Sequence, residues 1–175
     1  MRKLVPYGLL AVFLNALLGI LLPYAEDAFY AARLSTLPVP AVFHLPVDKV
    51  RTASLHDSWH APRDGGRRPH EGIDIFAPRG TAVRSTTEGV VWRLGQGGLG
   101  GRAVWILGPG GQRHYYAHLD RFAGVYPGMR VEAGSLIGYV GNSGNAKGTP
   151  PHLHYGIYKR GGAINPFPFL QAPAG

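Results

Sequence analysis

Three short segments of this chain concentrate side chains that can ligate a metal or carry a proton: His70 and Asp74 in PHEGIDIFAP, His114 and His118 in RHYYAHLD, and His152 and His154 in PHLHYGIY. Five of the eight histidines lie in these segments, and the chain has no cysteine, so any metal site must be built from His, Asp or Glu. Neutral imidazoles and a carboxylate suit a divalent ion, and histidine also titrates in the range where general acid–base work is done at neutral pH. Taken alone, His-x-His on a strand reads first as two solvent-facing histidines. The concentration in three segments argues for one shared site.

The spacing within each segment says how the side chains must be carried. As an extended strand, PHLHYGIY places His152, His154, Gly156 and Tyr158 on one face and Leu153, Tyr155 and Ile157 on the other. RHYYAHLD, read the same way, puts His114, Tyr116 and His118 together and Tyr115 and Ala117 opposite. His70 and Asp74 share the four-residue spacing of the helical His-Glu-x-x-His zinc motif. Here Gly72, the β-branched Ile73 and Ile75, and the flanking Pro69 and Pro78 oppose a helix. A straight strand would hold the two about 13 Å apart, too far for bonds of about 2 Å to one ion. The chain is therefore expected to bend, with Gly72 as the hinge through a bulge or a positive φ, and with Glu71 turned away in a structural role.

The elements that carry these segments read as strands. From Gly72 onward IDIFA, TAVRS, GVVWRL, RAVWILG, HYYAHL, SLIGYVG and HLHYGIY are rich in β-branched and aromatic residues, and Gly or Pro bounds most of them. The 26 glycines and 15 prolines make up over a fifth of the chain, spread as turn punctuation between short apolar runs. No long amphipathic helix competes after the linker. The expected fold class is all-β, with antiparallel sheets forming a groove, preceded by one transmembrane helix.

On these residues the chain resembles the lysostaphin-type zinc peptidases that cut peptidoglycan cross-bridges, also called LytM-domain endopeptidases. HEGID, APRGTAV, EGVV, YAHL, GYVGNSG, HLHY and INP occur in the family's order and spacing across about residues 60–170. The resemblance implies that His70, Asp74 and His154 are ligands of one Zn2+ per chain, and that His118 and His152 are catalytic. Two imidazoles and a carboxylate leave a fourth tetrahedral position for water, the arrangement of a catalytic zinc site. His44, His56, His60 and His114 match no motif position and are read as surface or structural residues. The activity implied is zinc-dependent hydrolysis of peptide cross-links in bacterial peptidoglycan. The alternative is a non-catalytic LytM-type module that regulates another cell-wall hydrolase, against which the intact set of five residues counts.

The net charge of +8 points to an anionic partner: nucleic acid, a membrane surface or a wall polymer. No run of five basic residues occurs, so the expectation is peptidoglycan as substrate and no nucleic acid. A regulatory protein partner is left open. Residues 4–25 carry no charge, follow Arg2 and Lys3, and precede Glu26 and Asp27. As a helix they reach roughly 33 Å, enough to cross a bilayer core of about 30 Å. No small-x-small cleavage pattern follows. The expected layout is a signal anchor over 1–25, a linker over 26–46 with a short helical start and a proline-stiffened end, a peptidase domain over 47–171 and a tail over 172–175. The positive-inside rule places the domain on the extracytoplasmic side of a single-pass membrane protein.

Overall fold

The computed structural model describes residues 6–171; the expectations for Arg2, Lys3 and the 172–175 tail lie outside the described residues. The first element is one helix, α1 (Pro6–Thr36). Its apolar side chains from Leu10 to Leu22 are exposed, so by length and composition it fits a membrane span or a signal. Its last three turns behave differently. Asp27 pairs with Arg130 at 2.8 Å, the Tyr30 hydroxyl donates to Glu88 at 3.2 Å, and Leu34 is fully buried.

The segment after α1 is more than a spacer. Phe43 is buried, stacks on Phe169 at 4.7 Å and donates its backbone N–H to the Phe169 carbonyl, while Val39 and Leu45 pack against the same core. Leu34 and Phe43 are thus already buried upstream of Val47. Pro38, Pro40 and Pro46 have no N–H to offer a ladder, and the strap is tied instead by single backbone bonds to Phe169, Thr86 and Arg84.

Eleven strands follow: β1 (Pro62–Arg63), β2 (Arg68–Pro69), β3 (Ile73–Phe76), β4 (Ala82–Arg84), β5 (Gly89–Gly95), β6 (Arg102–Leu107), β7 (Arg113–Phe122), β8 (Arg130–Val131), β9 (Leu136–Val140), β10 (His152–Lys159) and β11 (Gly162–Ile164). β1 and β2 form a small separate hairpin. The others make one antiparallel sheet in the order β11-β10-β7-β6-β5-β8, with β3 added to β10, and β9 bridging β7 to β4. The all-β antiparallel class is thus as expected. β10 shares one edge with β7 and gives the first half of the other to β3. The apolar sides of these strands, with Ile73, Val104, Tyr116, Leu119, Leu153 and Tyr155, close over a single core.

β7 departs from the straight-strand reading. Tyr116 pairs with Val104 of β6 but Leu119 pairs with Arg102, so β7 spends three residues where β6 spends two. The extra residue is a bulge, and His118 sits there with φ of 62°. The side-chain alternation resets at that point. His114 and Tyr116 face the core, whereas Tyr115, Ala117 and His118 face the cleft on the other side. The expectation that His114 and His118 share a face is corrected by this bulge.

His114 is a core residue. Its Nδ1 lies 2.8 Å from the Tyr155 hydroxyl and 3.2 Å from Thr86 Oγ1, which also meets the hydroxyls of Tyr116 and Tyr155 at 2.7 and 2.9 Å. Burial holds this imidazole neutral, with its pKa lowered to about 3. An unfolded chain takes up that proton below about pH 6.5. Between those values the unfolded state binds more protons, so stability is present at neutral pH and is lost as pH falls. Acidifying from pH 7 to pH 5 is expected to remove about 2 kcal/mol through this group. Denaturant midpoints at the two pH values check it: His114→Gln should be less stable at pH 7 and lose less on acidification.

Candidate active site

One face of β10, β7 and β6 forms the floor of an open cleft of about 620 Å³. The five residues singled out by sequence all line it: His70, Asp74, His118, His152 and His154. Cross-strand register brings two residues from opposite ends of the domain together, because Asp74 of β3 lies directly opposite His154 of β10. Opposed residues on neighbouring strands share a face with Cβ atoms about 5 Å apart. Their side chains meet, with Asp74 Oδ1 3.2 Å from His154 Nδ1.

His70 arrives from just outside β3, where the chain bends at Glu71 and Gly72. Of the two means expected, a bulge or a positive φ, Gly72 does not use the positive φ. Its service is space: a Cβ there would lie 2.5 Å from the Tyr155 carbonyl oxygen and 2.8 Å from the His154 ring. Only glycine lets the chain turn this close to β10, and the turn puts His70 Nε2 2.8 Å from His154 Nδ1 and 3.1 Å from Asp74 Oδ1. Glu71 also lines the cleft, at the edge near Tyr158.

Three donor atoms thus converge on one point. A tetrahedral zinc with bonds of about 2.0–2.1 Å has ligand–ligand edges of roughly 3.3 Å. The observed separations of 2.8, 3.1 and 3.2 Å lie within roughly 0.5 Å of that edge. Donor chemistry agrees. His70 Nδ1–H is committed to the Ser58 carbonyl at 2.8 Å, so the neutral ring presents its Nε2 lone pair to the cluster. Burial opposes the charge on Asp74, but the His154 and His70 rings in contact with it outweigh burial and hold the carboxyl well below the usual carboxylate range. The residues fit a zinc ion.

His118 and His152 stand beside this cluster with ring centroids 5.0 Å apart. His118 Nδ1–H donates to the Ser143 carbonyl at 2.9 Å, and His152 Nδ1–H donates to the Pro150 carbonyl at 2.8 Å. Each ring therefore has its Nε2 open as a proton acceptor. Burial, with smaller contributions from the nearby His154 and His152 rings, lowers the His118 pKa to about 4 and keeps it neutral at pH 7.

Sequence reading missed Arg63 and Ser58. The β1–β2 hairpin carries Arg63 to Asp74, where Nη2 donates to Oδ2 at 2.6 Å, leaving Oδ1 directed at the two histidines. Ser58 supplies its carbonyl to His70 and its hydroxyl, at 3.1 Å, to the Asp74 backbone N–H. The turn residues Asp64, Gly65 and Gly66 were the signal for this hairpin. Of the remaining histidines, His44, His56 and His60 are exposed and stand apart from the cluster.

Comparison with known proteins agrees with this geometry. Residues 68–166 match the model of peptidase family M23. An L-Ala–D-Glu endopeptidase of Bacillus subtilis is 45% identical over 130 residues, covering 68% of this chain and 40% of that protein. A glycyl-glycine endopeptidase of Staphylococcus capitis is 35% identical over 109 residues, 59% of this chain and 29% of its own length. Among solved structures, the catalytic domain of lysostaphin from Staphylococcus simulans superposes with a TM-score of 0.57 at 28% identity, covering 69% of this chain and 96% of that one. The chain spans well under half the length of these two curated relatives.

Proposed function

Since the chain belongs to peptidase family M23, we propose that it is a zinc-dependent endopeptidase that hydrolyses peptide cross-links of bacterial peptidoglycan. The observation that carries this reading is the convergence of His70 Nε2, Asp74 Oδ1 and His154 Nδ1 beside two imidazoles with open Nε2 atoms. His70, Asp74 and His154 would hold the ion. When bound, zinc supplies Lewis-acid chemistry, polarising a carbonyl and making water nucleophilic near pH 7.

The protein's own groups handle the protons. His118 Nε2, neutral because it is buried, takes a proton from the attacking water. Once protonated it is a strong acid, suited to returning that proton to the leaving amine nitrogen as the peptide C–N bond breaks. His152, in its protonated form, donates from Nε2 to the oxyanion that develops on the scissile carbonyl. The carbonyls of Ser143 and Pro150 hold both rings in the tautomer and orientation this requires.

The helix α1 suits a single-pass anchor with the cleft on the extracytoplasmic side, where the wall lies. Docking of its last turns through Asp27, Tyr30 and Leu34 would keep the peptidase close to the membrane. The deciding experiment incubates the detergent-solubilised full chain with purified cell wall, with and without a chelator, and identifies products by mass. New amino and carboxyl termini in cross-link peptides, abolished by chelation and restored by zinc, are expected. Wall retention without any cleavage by the zinc-loaded protein would establish the regulatory-module reading instead.

A further inference from the structure

A second bulge lies in the same sheet, away from the five-residue site. In β5, Val91 pairs with Ile106 and Arg93 pairs with Trp105, so Trp92 is the extra residue. The bulge turns two consecutive side chains outward, and Trp92 is 50% exposed although it sits mid-strand. Two arginines flank its indole: Arg93 at 5.6 Å and Arg113 at 5.7 Å from the ring centroid. Neither guanidinium has a carboxylate partner among the described residues.

This patch is continuous with the cleft. Arg93 is opposite Trp105, Trp105 opposite Tyr115, and Tyr115 opposite Gly156, two residues from His154. The rings follow the same row. Trp92 meets Trp105 edge-on at 6.3 Å, Trp105 stacks on Tyr115 at 4.1 Å, and Tyr115 reaches His154 at 5.8 Å. Three strand spacings set Trp92 about 14 Å from β10, the length of roughly four extended residues. That is beyond the groups flanking a single scissile bond.

We infer that the Trp92, Arg93 and Arg113 surface is a distal subsite that holds a carboxylate-bearing saccharide strand while the cleft engages the peptide attached to it. An exposed indole offers an apolar face on which a pyranose ring can lie, as aromatic faces do for other apolar rings. The two guanidinium groups that lie over part of this indole ring, without a carboxylate partner among the described residues, match carboxylates in charge and in bidentate geometry. The inference rests on the wall-peptidase reading, and it names the part of that substrate remote from the bond cut.

The test uses the full chain in detergent, loaded with zinc, and compares wild type with Trp92→Ala and Trp92→Phe. Probes are purified sacculi, glycan strands stripped of peptide, and a short synthetic cross-link peptide. For Trp92→Ala the KM on sacculi and the affinity for stripped glycan should worsen about fivefold, with kcat and peptide hydrolysis unchanged, and Trp92→Phe should recover most of the loss. Equal loss on the short peptide, or no loss on either polymer, overturns the subsite. If wild type cuts nothing, the peptidase reading falls, but glycan affinity still decides the subsite: a difference between wild type and Trp92→Ala supports it and equality overturns it. Duplex DNA that displaces glycan from wild type while binding depends on Trp92 would reassign the surface to nucleic acid and overturn the saccharide.

Discussion

His154→Ala is expected to take the protein from about one zinc per chain to almost none, while the fold survives. The register that sets His154 opposite Asp74 is made by the backbone of β3 and β10, so truncating the side chain leaves the ladder intact. What goes is one of three donors, with His70 Nε2 and Asp74 Oδ1 left 3.1 Å apart. Removing a group that merely orients a ligand weakens metal binding by about 10–100-fold. Loss of a ligand should exceed that, and Arg63→Ala, which frees Asp74 Oδ2, should fall within it. Metal analysis after dialysis against a zinc buffer, with circular dichroism as the fold control, checks both variants. Stoichiometric zinc in His154→Ala would remove His154 from the ligand set.

The second large effect separates proton transfer from ligation. His118→Asn and His152→Ala are each expected to keep zinc and fold yet lose at least about 100-fold in kcat, the loss typical of removing a general acid or base. Asparagine is chosen at 118 because the backbone there has φ of 62°, a conformation asparagine tolerates far better than most residues. His114→Gln is the contrast. Four residues away on the same strand but on the core side of the bulge, it should retain kcat at a temperature where it is still folded, and show its defect in the denaturation midpoint. A His118→Asn protein that hydrolyses wall at the wild-type rate would place the base elsewhere in the cleft.

Much of this arrangement was legible in local pattern. Alternation along PHLHYGIY put His152, His154 and Tyr158 on one face and Leu153, Tyr155 and Ile157 on the other, and the structure places them so, because the side-chain period of a strand is a property of its own backbone. The lack of cysteine restricted metal donors to imidazole and carboxylate, and glycine and proline spacing marked the strand ends. A conflict between spacing and ligand distance also demanded a bend between His70 and Asp74.

Tertiary structure alone decided the rest. Asp74 meets His154, 80 positions along the chain, through a register set by which strand lies beside which, and no local period encodes that choice. The face of His118 was misread because a bulge is a mismatch between two strands. β7 alternates regularly by itself, and only pairing with β6, together with the Gly100 carbonyl that accepts the His118 N–H at 2.9 Å, creates the extra residue. Phe43 looked like linker because its partner, Phe169, arrives at the far end of the chain. Arg63 had no motif to mark it, since its role exists only once the hairpin folds back over Asp74. Period and composition determine what each strand can present; long-range closure, with its register and its bulges, determines which side chains converge.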